Sequence, residues 1–272
     1  FNADRIFGEL ANPIILSPVD EVQQTISLAE GWSWVSINVD PEDNSVATVM
    51  KPVVGNVFYI KSKSEFVYMD AAGDLHGVMS NITHSKMYKI KSDKALSLDV
   101  SGKPIITGED TLVIYKGWTW IGYNPSVIMS VNDAFASLNP VENDMVKSRD
   151  GFSVFDGYEW IGTLTSMQPG SGYVYKSNAD KDKKFTYPSA VRSNRKADNI
   201  ISSFPEASEY PDNMNIIAQV KDGDLVIENA VVEVFANKSL RGVSEQTVKD
   251  DKHFLTVYGD ASDERLSFIV TV

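Results

Sequence analysis

The order of apolar and polar positions repeats once along the chain. Residues 31–38 read GWSWVSIN, residues 117–124 read GWTWIGYN, and an alternating apolar segment precedes each phrase. Alternation with a period of two is typical of a β-strand with one buried face. Further landmarks recur in the same order, namely Lys-Ser pairs at 61–62 and 147–148, FVYMD and FSVFD at 66–70 and 152–156, and Lys-Ser pairs at 91–92 and 176–177. We therefore interpret residues 12–100 and 101–188 as two copies of one module.

Each copy also contains one short helical pattern. Ser130, with Asp133 three residues later, forms a capping-box arrangement, and the apolar residues at 131, 134, 135 and 138 predict about two helical turns that stop at Asn139-Pro140. The first copy repeats this design from Ser45, although Pro52 weakens its last turn. The predicted fold class is mainly β, with short helices and some α+β character.

The pattern changes after the second copy. Residues 189–211 are rich in Ser with no sustained periodicity, which predicts a linker. Alternation returns from residue 212, and Asp222-Gly223 is a hairpin signal, so we predict an antiparallel β-sandwich-like module over residues 212–272. Residues 1–11 are interpreted as an N-terminal lead-in.

Composition excludes several functional classes. The chain has 272 residues, a formal net charge of -12 and no cysteine. The charge argues against nucleic acid or another strongly negative partner, and the absence of cysteine removes disulfides and thiolate chemistry. Three scattered histidines do not predict a metal site, and no cofactor is expected.

Signals for a membrane or for export are not apparent. No apolar run approaches the ~18 residues that a membrane span needs, so no transmembrane segment is expected. The start, FNADRIFGEL, lacks the pattern of a signal peptide, and we interpret the sequence as a mature chain or a fragment.

We expect no catalytic residues and no enzyme activity. The sequence contains no nucleophile elbow and no phosphate-binding loop. The acidic clusters, such as Asp260 to Glu264, lie in turn-like polar stretches, where solvated turns are the simplest interpretation and calcium binding is a weaker alternative. A carbohydrate-active enzyme stays an alternative that needs two carboxyl groups facing each other across a cleft.

The paired tryptophans have three possible roles. Trp32 and Trp34, like Trp118 and Trp120, are two residues apart and share one face of a strand. We favour burial in the core, because apolar residues lie on the opposite face as well. The alternatives are an exposed platform for a sugar ring and a contact between the copies.

A second aromatic group is the predicted ligand-binding site. Tyr158, Trp160, Tyr173 and Tyr175 lie near glycine turns in the second copy, and the first copy has no tryptophan at the place of Trp160. Aromatic residues near loops can bind a ligand at modest desolvation cost. The alternative is that Trp160 and Tyr175 seal the core of that copy.

These landmarks together carry a family resemblance. The order of GWxW, short helix, Lys-Ser strand, YEWIG and PGxGY resembles the GWN-type tandem repeats of secreted and cell-surface proteins of Gram-negative bacteria. The C-terminal region, with Arg241-Gly242-Val243 and FLTVYGD at 254–260, is similar to a module found beside such repeats. The resemblance implies a multidomain extracytoplasmic protein and supplies no catalytic residues.

Three functional hypotheses follow. The preferred one is a non-catalytic binding or adhesion segment of a surface protein, with a glycan or a surface protein as partner. A structural spacer and part of a carbohydrate-active enzyme are the alternatives. A binder should expose an aromatic cluster flanked by polar groups, whereas a spacer should expose none.

Overall fold

Antiparallel β-strands dominate the part of the chain that the structure describes. The computed structural model describes residues 21–70, 72–189, 210, 212–227, 230–237, 239–244, 252–260 and 264–271. The predicted lead-in and nearly all of the predicted linker lie outside these residues. Within them are 24 strands and two short α-helices, which confirms the predicted mainly β class.

The first copy forms one five-stranded sheet with smaller sheets beside it. Its helices are α1, Val46–Met50, and a 3-10 helix, Lys51–Val53. Its strands are β1 Val22–Leu28, β2 Gly31–Val35, β3 Val39–Asp40, β4 Val57–Lys61, β5 Phe66–Met69, β6 Leu75–Gly77, β7 Tyr88–Ser92 and β8 Leu96–Pro104. The main sheet has the order β2-β7-β4-β5-β6, and β8 pairs with both β1 and β3.

The second copy repeats the main sheet of the first strand for strand. Its one α-helix among the described residues is α2, Val131–Ala134. Its strands are β9 Thr111–Ile114, β10 Gly117–Ile121, β11 Met129–Ser130, β12 Met145–Lys147, β13 Phe152–Phe155, β14 Trp160–Gly162, β15 Ser166–Met167, β16 Tyr173–Ser177 and β17 Lys183–Thr186. The main sheet has the order β10-β16-β12-β13-β14, so each strand occupies the place of its equivalent in the first copy.

The helices begin where the capping residues predict. The hydroxyls of Ser45 and Ser130 accept hydrogen bonds from the backbone N–H groups of Thr48 and Asp133, at 3.2 and 3.0 Å. The two-turn prediction for the second copy was wrong, since α2 has only four residues. The bond from Leu138 N–H to the carbonyl of Phe135 spans three residues, which shows that turns replace the second helical turn.

The Gly-Trp-x-Trp strands bury the residue between the tryptophans. Ser33 and Thr119 are buried, and each accepts a hydrogen bond of 2.9 Å from the backbone of the preceding turn. Val35 and Ile121 point the same way into the two hydrophobic cores. The tryptophans therefore lie on the outer face of each sheet.

The two copies are joined through the ends of these strands. Ser36 donates its backbone N–H to the carbonyl of Gly170, and the equivalent Gly122 donates to the carbonyl of Ser85, both at 3.1 Å. Because Ser85 and Gly170 occupy the same position in their copies, the two bonds are related by approximate two-fold symmetry. Such a contact uses the same surface of both partners.

The symmetry cannot extend to the side chains near this axis. A Cβ atom at Gly172 would overlap Met87, the residue at its equivalent position, and would lie 2.7 Å from the carbonyl oxygen of Val35. A Cβ at Gly122 would overlap the carbonyl oxygen of His84. The Pro-Gly-Ser-Gly segment of the second copy is thus explained by close packing against the first.

The C-terminal region forms two small sheets and a hairpin. Its strands are β18 Asp212–Ala218, β19 Lys221–Asp222, β20 Leu225–Val226, β21 Val231–Ala236, β22 Ser239–Ser244, β23 His253–Gly259 and β24 Ser267–Thr271. β18 pairs with β23, β22-β21-β24 form a second sheet, and β22 lies against β23. Val232, Val234, Leu255 and Val257 form the core of this sandwich-like region.

The sequence landmarks of this region have structural roles. Arg241 is 4% exposed, and its guanidinium lies 2.9 Å from carboxylate oxygens of both Asp260 and Glu264. A Cβ at Gly242 would lie 2.7 Å from the carbonyl oxygen of Thr256, so a larger residue would push β22 away from β23. Arg-Gly-Val and the later Tyr-Gly-Asp therefore fix the packing of these strands.

We predict that exchanging residues between the copies is tolerated in the strand but not at the axis. Gly122→Ser introduces the residue of the first copy and should lower the free energy of unfolding by at least about 2 kcal/mol, because the overlap with backbone cannot be relieved by a rotamer change. Thr119→Ser, the matched exchange, should cost only about 1 kcal/mol, the value of one buried methyl group. Urea denaturation measures both, and equal losses would contradict the packing described.

Candidate functional site

The outer face of the first sheet is the strongest candidate site. Strand register places Trp32, Lys91, Tyr59, Tyr68 and His76 side by side in one row across all five strands. The neighbouring row contains Trp34, Lys89, Lys61 and Phe66. We call these nine residues the aromatic-lysine face.

Aromatic rings contact one another along this face. Trp32 meets Tyr59 edge-on with ring centroids 5.6 Å apart, and Tyr59 stacks on Phe66 at 5.7 Å with the ring planes 3° apart. Phe66 and Tyr68 are 43% and 45% exposed. A contiguous aromatic surface of this kind is larger than isolated exposed rings would give, and it indicates an interaction site.

A histidine and a carboxylate form the rim of the face. His76 stacks on Tyr68 with ring centroids 4.9 Å apart, and its Nε2 lies 2.8 Å from an Oδ of Asp70. The hydrogen bond from His76, followed by one from the backbone of Asp74, holds the pKa of Asp70 below its usual value. The imidazole is therefore oriented beside an exposed ring, where its other nitrogen can meet a ligand.

Lysines lie directly over the tryptophan rings. Lys89 Nζ is 4.1 Å from the centroid of Trp34 and 5.2 Å from that of Trp120 in the second copy. Lys91 Nζ is 5.8 Å from the centroid of Trp32. Cation–π contact accounts for the recurring pattern in which Trp-bearing and Lys-bearing strands are neighbours.

The two residues of each Lys-Ser pair lie on opposite sides of the sheet. Lys61, Lys91 and Lys176 lie on the outer side near tryptophans, whereas the serine that follows each of them is buried. Ser92, for example, donates its hydroxyl hydrogen to the carbonyl of Ala29 at 2.6 Å. The serine of the motif therefore forms hydrogen bonds on the buried side of the sheet, and the lysine supplies positive charge on the outer side.

The equivalent face of the second copy is partly covered. Phe152, the counterpart of Phe66, is fully buried and packs against Phe254 of the C-terminal region, with ring centroids 5.8 Å apart. The Tyr258 hydroxyl donates a 2.9 Å bond to the carbonyl of Asp150 beside it. An open aromatic face is thus a property of the first copy.

The predicted ligand-binding aromatics do not lie together on the surface. Trp160, Tyr173 and Tyr175 are 8%, 1% and 0% exposed and belong to the core of the second copy, whereas Tyr158 is 86% exposed on a turn. Trp160 contacts Phe135, and the Tyr175 hydroxyl donates to Asp144 at 2.7 Å. Their positions agree with the core-sealing alternative for Trp160 and Tyr175.

The favoured interpretation of the tryptophan pairs was wrong. Trp118 is 44% exposed and the other three are half-buried, because they lie on the outer face, where lysine side chains and the ring of Tyr59 cover them in part. Trp34 and Trp120 also take part in the contact between copies, through Lys89. The apolar neighbours that suggested burial on both sides belong to the core side alone.

A comparison of the two copies was the signal that could have identified the open face. Outward positions that are aromatic in the first copy are aliphatic in the second. The pairs are Tyr59 and Met145, Tyr68 and Val154, and His76 and Ile161. Alternation places these residues outward, so their difference shows which copy is open.

A polar cleft of about 530 Å³ lies between the copies. Its walls include Trp34 from the first copy and Arg149, Asp150, Thr165 and Ser166 from the second. Asp150 is the single carboxylic acid among the lining residues, so this cleft does not supply the carboxyl pair of a glycosidase. Burial raises the pKa of Asp150, and the neighbouring Arg149 opposes this shift.

The described residues include neither a metal-binding group nor a membrane-spanning helix. No group of three His, Asp or Glu side chains among them is arranged to hold a metal ion. None of the described helices has the length and apolar character needed to cross a membrane.

Comparisons with known proteins give no match. No family model, curated protein or solved structure is significantly similar to this chain.

We predict that Trp160 stabilises the fold and that Tyr158 does not. Trp160→Ala should lower the free energy of unfolding by about 3–5 kcal/mol, the usual cost of truncating a buried aromatic residue. Tyr158→Ala, the matched control, should change it by less than about 0.5 kcal/mol, because the ring is exposed. Urea denaturation distinguishes them, and a stable Trp160→Ala protein would contradict the core assignment.

A further prediction concerns the pH dependence of stability. Burial, and then the like charges of Lys61 and Lys147, lower the pKa of Lys89 to about 8, while Asp212 opposes the shift. Between about pH 8 and the usual lysine value of ~10.4 the unfolded chain binds more protons at this site, so its contribution to stability rises with pH.

Lys89→Met removes this contribution. The wild type should gain stability relative to Lys89→Met between pH 7 and pH 9 in urea titrations. Lys51→Met removes an exposed lysine of the 3-10 helix, and its free energy of unfolding should change with pH as that of the wild type does. A constant difference between wild type and Lys89→Met across this pH range would contradict the lowered pKa.

Proposed function

We propose that the chain is a non-catalytic, extracytoplasmic binding segment that recognises a glycan on the aromatic-lysine face of its first copy. The observation that supports this most directly is the contiguous aromatic surface in which Phe66 and Tyr68 are exposed and Trp32 and Tyr59 are half-buried. The spacer hypothesis gives no reason for such a surface, because exposed aromatic residues add an aggregation risk without adding stability.

The dimensions and chemistry of the face suit sugars. Neighbouring antiparallel strands are ~4.8 Å apart, so rings on successive strands form a continuous platform comparable in scale to sugar rings. The apolar faces of sugars can lie on aromatic rings, while hydroxyl groups reach polar atoms at the edge. His76 and Lys91 supply such atoms beside Tyr68 and Trp32.

Rigidity of the platform would favour binding. The rings lie on strands, and Tyr59 is held between Trp32 and Phe66 by two ring contacts. Side chains that are already ordered lose less conformational entropy when a ligand binds. The resemblance to GWN-type repeats supports an extracytoplasmic setting, where cell-surface or environmental glycans are available.

The test is a pair of matched double substitutions. Phe66→Ala with Tyr68→Ala removes two exposed rings from the face, whereas Tyr115→Ala with Tyr158→Ala removes two exposed rings elsewhere. On a glycan array, we expect the wild type to bind and the first variant to bind at least about tenfold more weakly, as for loss of a central aromatic contact. The second variant should retain binding.

Both variants should remain folded, because all four residues are exposed and none belongs to a hydrophobic core. Thermal denaturation followed by circular dichroism checks this. A wild-type chain that binds no glycan, or a face variant that binds as well as the wild type, would contradict the proposal and favour the spacer.

A further inference from the structure

Positive charge is concentrated along the contact between the two copies. Lys89 Nζ of the first sheet lies within 5.2 Å of the ring centroids of Trp34 and Trp120, and Lys61 Nζ lies 5.8 Å from that of Trp120. Lys147 of the second sheet is in the same cross-strand row as Trp120, and its charge acts on Lys89. We call these three lysines and two tryptophans the lysine seam. The seam adjoins Phe66, so it is continuous with the aromatic-lysine face.

The lysines of the seam have no ion-pair partner among the described residues. The salt bridges of these residues involve other basic groups, although the chain has 37 acidic and 25 basic residues. In such an acidic chain, three neighbouring lysines without a carboxylate partner are not expected from composition. Like charges in a half-buried place are unfavourable and often mark a functional site.

We propose that the lysine seam binds the carboxylate or sulfate groups of an acidic polysaccharide whose sugar rings lie on the aromatic-lysine face. This inference rests on the proposed function and adds the class of glycan. The charge of Asp212 acts on Lys89, but none of the three lysines forms a salt bridge among the described residues, so a bound anion would add negative charge directly at the seam. Burial is the main cause of the lowered pKa of Lys89, and the like charges of Lys61 and Lys147 add to it.

The net charge of -12 argues against a strongly negative partner for the molecule as a whole, but it has little effect on a group bound at the seam itself. At physiological ionic strength charges are screened over ~8 Å, so groups at the seam respond mainly to the nearest lysines. A polynucleotide has one phosphate per nucleotide and extends beyond the seam into the field of the acidic remainder. An acidic polysaccharide can place its charged groups at the three lysines and the apolar faces of its sugar rings on the aromatic rings beside them.

The experiment compares polymers that differ only in charge. Isothermal titration calorimetry with the full chain uses polygalacturonate against its methyl ester, and dextran sulfate against dextran. We expect the acidic member of at least one pair to bind at least about tenfold more tightly than its neutral form. Tight binding of polygalacturonate identifies carboxylate as the recognised group, and tight binding of dextran sulfate identifies sulfate.

Substitutions locate the charge contact. Lys61→Gln with Lys147→Gln should weaken binding of the acidic polymer about tenfold or more, because hydrogen bonds to charged groups are among the stronger polar contacts. Lys51→Gln with Lys103→Gln changes the net charge equally at exposed positions away from the seam and should not. Lys61→Arg with Lys147→Arg keeps the charge and should retain binding, which separates a charge effect from misfolding.

Three results would overturn the inference. The first is equal binding of the acidic and the neutral polymers. If the Phe66→Ala and Tyr68→Ala variant then binds both polymers more weakly, the proposed function stands without a charge requirement. The second is an unchanged affinity in the Lys61→Gln and Lys147→Gln variant, or no binding of either acidic polymer. The third is equally tight binding of a single-stranded oligonucleotide. The proposed function itself fails only if the glycan array also shows no ligand that depends on the aromatic rings.

Discussion

The backbone pairing between the two copies is the constraint on which the rest of this structure depends. Ser36 bonds to Gly170 and Gly122 to Ser85, so two equivalent strand ends meet around one approximate axis. Identical side chains at the axis would meet themselves. Met87 lies opposite Gly172, so a large side chain in one copy meets a residue without a side chain in the other. Two copies of one design can therefore associate closely only if their sequences differ at the axis.

The same contact determines what happens on the outer faces. With one copy held against the other, Trp34 and Trp120 both lie near Lys89, and the two sheets contribute lysines to one area. The inner positions of the same strands contain Ser33 and Thr119, whose hydroxyls accept backbone hydrogen bonds. Stability thus depends on the small residue of each Gly-Trp-x-Trp phrase, and the large residues are available at the surface.

Local patterns predicted the fold well and the site poorly. Alternation, caps and turns are properties of neighbouring residues, so the strands around Lys61 and Lys147 and the caps Ser45 and Ser130 could be predicted. The buried face of a strand depends on the layers that cover the strand. Residues 31–38 have apolar side chains on both faces, so their pattern does not show which face is buried. Trp160 was offered as a ligand contact because its local turn-rich setting looks the same whether the ring points to solvent or to Phe135.

The difference between the copies has a physical origin in what covers them. Phe254 packs on Phe152, and this contact turns the second sheet into a support for the C-terminal region. Nothing among the described residues makes the equivalent contact with Phe66, and there the row of Tyr59, Tyr68 and His76 replaces the aliphatic row of the covered copy. Aliphatic side chains fit a permanent contact, because they bury area without polar groups that need partners. Tyrosine and histidine fit a surface that is open to water, since their polar atoms can form hydrogen bonds with the solvent.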